Sequence, residues 1–177
     1  PADATYSFGN VGELTASGID FEADYQTDVD WGIINQLGLR LSGTYNISRE
    51  ENWVELGLSR EMVGKAYGFE VYPELKAVST VSIGGEDWNF GWDMRYIDET
   101  VDALRPAEVT DDNIADAVLY HDINASYYWN NVKFGMGISN LLDKDAPRYH
   151  SGFNANTAPG TYDTIGRKLF ANVQVKF

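Results

Sequence analysis

The chain has 177 residues, 44% of them hydrophobic, which suffices for one domain with a buried core and is tight for two. Its 13 Lys plus Arg against 27 Asp plus Glu leave a formal charge of −14, which argues against a nucleic-acid binder because phosphate neutralisation needs clustered cations. The lack of Cys excludes disulfide scaffolds, thiolate metal sites and cysteine nucleophiles, and two His, His121 and His150, are too few for a multi-histidine metal centre. No run approaches the ~18 apolar residues of a transmembrane helix, a criterion that leaves transmembrane barrels open. Aromatics at 14% and 17 Gly favour strands and turns. The sequence opens at Pro1 with no basic n-region or apolar h-region, so it reads as a piece of something longer.

Period-two alternation dominates the chain. An eighth strand is counted if Ala4 to Phe8 is the tail of another. Ile19, Phe21, Ala23 and Tyr25 then alternate with Asp20, Glu22, Asp24 and Gln26, and a turn is expected between Asp28 and Asn35. Leu37, Leu39, Leu41, Gly43, Tyr45 and Ile47 alternate with Gly38, Arg40, Ser42, Thr44, Asn46 and Ser48. From Arg49 to Pro73 the pattern predicts an irregular, charged and aromatic stretch, with Trp53 to Leu58 able to extend a strand. A weaker alternation covers Leu75 to Ile83, Gly84-Gly85-Glu86-Asp87 is a tight-turn signal, and Trp88, Phe90, Trp92, Met94 and Tyr96 form the clearest strand.

Asp98 to Asp116 has no period and contains Pro106, which predicts a long loop; Asp111, Asp112 and Asp116 lack the spacing, Gly and terminal Glu of a calcium loop. His121, Ile123, Ala125, Tyr127 and Trp129 then face away from Asp122, Asn124, Ser126 and Tyr128. Asn130-Asn131 turns the chain into Val132, Phe134, Met136 and Ile138. A second loop spans Leu141 to Tyr162, and the last strand alternates from Arg167 to Phe177.

About seven strands joined alternately by tight turns and long loops match an outer-membrane barrel, whose strands need about 9 to 11 residues to cross the bilayer. The polar sets mix signs and small groups (Asp20, Glu22, Arg40, Asp93, Arg95, Lys133, Gln174), as a wet lumen requires. Tyr25, Tyr45, Trp88, Tyr96, Trp129 and Phe177 at strand ends suit interfacial aromatic girdles or, equally, ordinary cross-strand packing. Seven or eight strands suffice for a small closed barrel, whereas the missing start favours a larger parent.

The segment Val132 to Pro147 (VKFGMGISNLLDKDAP) carries a recognisable set: Gly137, Ile138, Asn140, Leu141, Leu142, Asp143, Lys144, Ala146 and Pro147. Tyr162, Asp163, Gly166, Arg167 and the terminal FANVQVKF complete it. Together they resemble the closing strands of TonB-dependent outer-membrane receptors. Asn10 to Ala23 is similar to a recurrent strand opening of that family, and Pro73 to Glu99 to its penultimate hairpins. The resemblance implies an up-and-down antiparallel meander, the last seven or eight strands of a 22-stranded barrel with an N-terminal plug. Residues 1–177 would then be one C-terminal segment of the wall, lacking the plug and the box that contacts TonB.

With Phe177 at the periplasmic rim, as the resemblance implies, 28–35, 84–87 and 130–131 are periplasmic turns, and the loops 49–73, 99–117 and 141–162 face outside. Ligand capture is then expected on Trp53, Tyr67, Arg105, Arg148, Tyr149 and His150. Aromatic, acidic loops suit stacking on an oligosaccharide better than capture of an anionic ferric siderophore. Ala171, Val173, Val175 and Phe177 resemble the signal read by the barrel-assembly machinery, a resemblance that implies strand addition at an exposed edge. The implied partners are outer-membrane lipid, that machinery, an extracellular small ligand, and the TonB complex through the missing N-terminal part. No cofactor or metal is expected.

An enzyme is disfavoured. Ser7, Ser59, Ser139 and Ser151 lack a nucleophile-elbow setting, and Glu50-Glu51 and Asp111-Asp112 are sequence neighbours that point apart. The alternative is a soluble lipocalin-like or β-sandwich carrier whose apolar face encloses a small ligand. Solubility separates the two, because an open sheet with a lipid-facing surface is expected to aggregate or to need detergent.

Overall fold

The period-two alternation is realised as one antiparallel sheet. The computed structural model describes residues 12–53, 56–104 and 113–177. Seven main strands run in sequence order across it: β1 (Glu13–Trp31), β2 (Ile34–Trp53), β6 (Leu75–Gly84), β7 (Trp88–Ile97), β10 (Val118–Trp129), β11 (Val132–Ser139) and β12 (Lys168–Val175). Each pairs antiparallel with the next, an up-and-down meander. The segment Ala4 to Phe8 lies outside the described residues.

Three tight turns lie at one end of the sheet. The first is narrower than the pattern predicts: β1 continues to Trp31, β2 starts at Ile34, and only Gly32 and Ile33 turn, with Gly32 at φ 70°. At the last turn Asn130 adopts φ 53°, a left-handed conformation that Asn tolerates. The Asn131 side-chain amide donates to the Lys176 carbonyl at 2.8 Å and so fastens the chain beyond β12 to the same turn.

The opposite end carries the long connections, which hold more structure than their sequences predict. In the irregular 49–73 stretch β2 runs on to Trp53, β3 (Leu58–Glu61) folds back on it, and β4 (Lys65–Tyr67) and β5 (Glu70–Tyr72) form a hairpin. The 98–116 stretch contributes β8 (Thr100–Asp102) and β9 (Ile114–Ala115), which join that hairpin in a small sheet ordered β5-β4-β8-β9. The third connection holds one short turn of helix, α1 (Phe153–Asn156). Strands this short escape a periodicity test because two or three residues show no period.

The register divides the main sheet into two unlike faces. One face has the row Tyr25, Leu39, Val81, Trp92, Ile123, Ile138 and Leu169, and beside it Thr27, Leu37, Ile83, Phe90, Ala125, Met136 and Ala171. It is bare: Leu39, Met136 and Leu169 are 43%, 63% and 78% exposed. The other face carries Asp24, Arg40, Thr80, Asp93 and Asp122 in one row. Trp88 pairs with Tyr127 and Trp129 lies one row further out at the turn end, while Tyr45 and Tyr96 lie near the loop end. Tyr25 departs from the expectation. Because β1 extends to Trp31, Tyr25 sits in the middle of the apolar face and Trp31 takes the strand end.

The buried core is small and lies on the polar side at the loop end. Ile97, Val118 and Tyr120 of the main sheet meet Ala66, Val71 and Ala115 of the small sheet and Tyr149, Ala158 and Tyr162 of the last connection. Ile97 pairs with Lys76 and Val118, and Tyr120 with Arg95, in rows that continue the charged face. The loops therefore cap the hydrophilic surface and leave the hydrophobic one uncovered.

Candidate functional site

On the polar face the main sheet forms an open hollow of about 670 Å³ across β1, β2, β6 and β7. Asp20 and Glu22 stand on one wall, Ser42 and Thr44 on the floor, and Lys76 and Arg95 opposite, with Val78 and Ile97 between. Alternation places these groups together, since every second residue of four neighbouring strands points the same way. The Thr44 hydroxyl donates to Asp20 at 2.6 Å, and Arg40 pairs with Glu22 and lies 4.0 Å from Asp24. Hydroxyls, carboxylates and an ammonium around short apolar stretches can hydrogen-bond a hydroxyl-rich ligand.

Beside the hollow a network ties the last connection to the sheet. Arg95 Nε donates to Asp122 at 2.7 Å, and its guanidinium lies 3.8 Å from Asp163 and over the Tyr120 ring. Lys168 approaches Asp163 from the other side at 3.7 Å, and the Asp163 amide donates to the Tyr120 hydroxyl. Asp122 also accepts from the Asn140 amide at 2.7 Å. Asn140 and Lys144 bond reciprocally, the Asn140 side chain donating to the Lys144 carbonyl and accepting from its amide. The Arg167 amide donates to Asp143, against which Gly166 packs at φ 81°. Asn140, Asp143, Asp163, Gly166 and Arg167 were visible as a sequence set, but their partners Arg95, Tyr120 and Asp122 lie on distant strands with no local signal.

A second knot joins all three connections. Asp102, buried at 1% exposure, accepts from the Ser151 hydroxyl (2.6 Å), the Ser151 amide (2.7 Å) and the Leu104 amide (3.0 Å). Tyr149 is buried beside it and donates to the Gly68 carbonyl at 2.5 Å. Burial, with Tyr162 and Asp102 nearby, pushes the Tyr149 hydroxyl well above the usual phenol range.

The expected ligand residues are thus dispersed. Trp53 and Tyr67 come together, but around Arg60, whose guanidinium lies 5.1 Å and 4.1 Å from their ring centres and pairs with Glu51 at 2.6 Å. Those ring faces are occupied by the chain itself. Tyr149 has its ring in the core and its hydroxyl on Gly68, so it acts in the cap's packing. Arg148 and His150 are exposed on either side of it, and Arg105 lies outside the described residues. Asp111 and Asp112 also lie outside them. His121 is on the apolar face, where the Trp92 indole donates to its Nδ1 at 3.1 Å. Ala171, Val173 and Val175 line β12 opposite Met136, Phe134 and Val132, and Phe177 follows the strand fully exposed.

No family model, curated protein sequence or solved structure matches this chain in the comparisons made.

Proposed function

We propose that this chain is the closing portion of the wall of a TonB-dependent outer-membrane receptor, the last strands of a 22-stranded barrel that takes up a scarce extracellular ligand. One observation carries this assignment: the long connections fold over the charged face, while the apolar face is exposed on six of the seven strands and half-buried on β6. A lipocalin-like carrier needs the reverse, with the apolar face inside. In the receptor the bare face meets lipid, the turns at Gly32, Gly84 and Asn130 are periplasmic, and the cap is extracellular. An oligosaccharide is preferred over a ferric siderophore, because the hollow presents carboxylates and hydroxyls beside its two cations.

These 177 residues contain no Cys, so a topology test needs one Cys introduced here and any Cys elsewhere in the parent replaced. In the full-length parent, a single Cys at Leu142 or Arg148 is expected to react with a membrane-impermeant maleimide on intact cells. One at Glu86 or Asn131 is expected to react only after the outer membrane is opened. Recovery of the protein in the soluble fraction would overturn the assignment. Growth of a parent-gene deletion on limiting glycans and ferric chelators then fixes the ligand class, with loss confined to an oligosaccharide as the expected result.

A further inference from the structure

The outer edge of β1 has no neighbour among the described residues: β1 pairs with β2 alone. A 19-residue strand with one open edge leaves a row of N–H and C=O groups to be paired by another strand. The register puts Asp20, Glu22, Asp24, Gln26 and Asp28 on its polar side, opposite Thr44, Ser42, Arg40, Gly38 and Gln36. One guanidinium, that of Arg40, serves Glu22 and Asp24, while Asp20 is met by the Thr44 hydroxyl. The open edge is thus strongly anionic on one side.

This pattern discriminates among neighbours. An antiparallel pair of two β1 edges from two copies sets carboxylates across from carboxylates, which is destabilising. Closure of the sheet on itself is disfavoured for a different reason: in a meander of seven strands the first and last run in the same direction, so β1 and β12 would meet as a parallel pair, the less stable pairing. We propose that the β1 edge takes an antiparallel strand with Lys or Arg at alternate positions on the polar side. Opposite charges then face each other along the row that the β1 carboxylates begin, and β2 already shows the arrangement once, in Arg40 against Asp24. The edge and its charges are independent of the membrane; that this neighbour is another strand of the same wall rests on the proposed function.

The chain is tested in whichever medium, detergent or buffer, keeps it monomeric, so that failure of the membrane assignment is read separately from the solubility itself. Two synthetic strand peptides are compared, one alternating Val with Lys and one alternating Val with Glu. The Lys peptide is expected to slow amide exchange over residues 20–28 at least about tenfold more than the Glu peptide. High salt, or the combined D20N, E22Q, D24N and D28N variant, should abolish that difference. Equal protection by both peptides, protection by neither, or protection that rises with chain concentration in the absence of peptide would overturn the proposal.

Discussion

Single side chains decide whether the cap stays down. Tyr149→Phe keeps the ring but leaves the buried Gly68 carbonyl without its donor, at a cost of about 1–3 kcal/mol. Faster amide exchange at Gly152 and Thr161, with β10 unaffected, is the expected readout. Asp163→Ala removes the carboxylate shared by Arg95 and Lys168 and should raise proteolysis between 141 and 166; Arg95 keeps Asp122, so the sheet should survive. Glu61 supplies a pH response. Amides of Arg49 and Val63 above all, with Ser48 and Met62, hold its carboxyl below the ordinary glutamate value of about 4.3. A depressed value means that its contribution is present above the unfolded pKa and is lost as pH falls through the folded one. Acidification through that range, or Glu61→Gln at neutral pH, should therefore accelerate exchange at Met62 and Val63.

Strands were the legible elements. Hydrophobic alternation over eight or more residues located all seven main strands, and the Gly84 to Asp87 and Asn130-Asn131 turns followed from residue type. What stayed hidden was set by contacts distant in sequence: β4, β5, β8 and β9 are two or three residues each and exist because neighbouring loops pair them. Trp53 and Tyr67 are a similar case, since an aromatic loop residue looks like a ligand platform until Arg60 is seen between them. Within β11, Gly137 has a steric reason: a Cβ there would strike the Phe170 ring and come within 2.7 Å of the Ile123 carbonyl. Gly137→Ala should cost about 1–3 kcal/mol and loosen the last hairpin, measured as a lower urea midpoint of the folded band on gels. The two faces should respond oppositely to charge. Leu39→Lys on the bare face is expected to cost about 2 kcal/mol in a bilayer, whereas Gln26→Lys on the polar face should be tolerated.

At the scale of the whole molecule, two facts about the described residues bear on one another: a seven-strand meander with no neighbour beyond β1 and β12, and a core at the loop end. Leu39, Met136, Leu169 and Val173 belong to one exposed apolar face of the sheet. The sign of that surface was readable from alternation; which face the loops would cover was not, because Tyr149 and Tyr162 reach Tyr120 only in the folded chain. We propose one division of the wall, with the bare face on lipid and the capped face on water. It is tested most directly by spin labels placed singly along β10 of the full-length protein in bilayers, with oxygen and a nickel chelate as apolar and aqueous relaxers. Labels at Ile123, Ala125 and Tyr127 should respond to oxygen, and labels at Asn124, Ser126 and Tyr128 to the chelate. A reversed alternation, or none, would contradict the account.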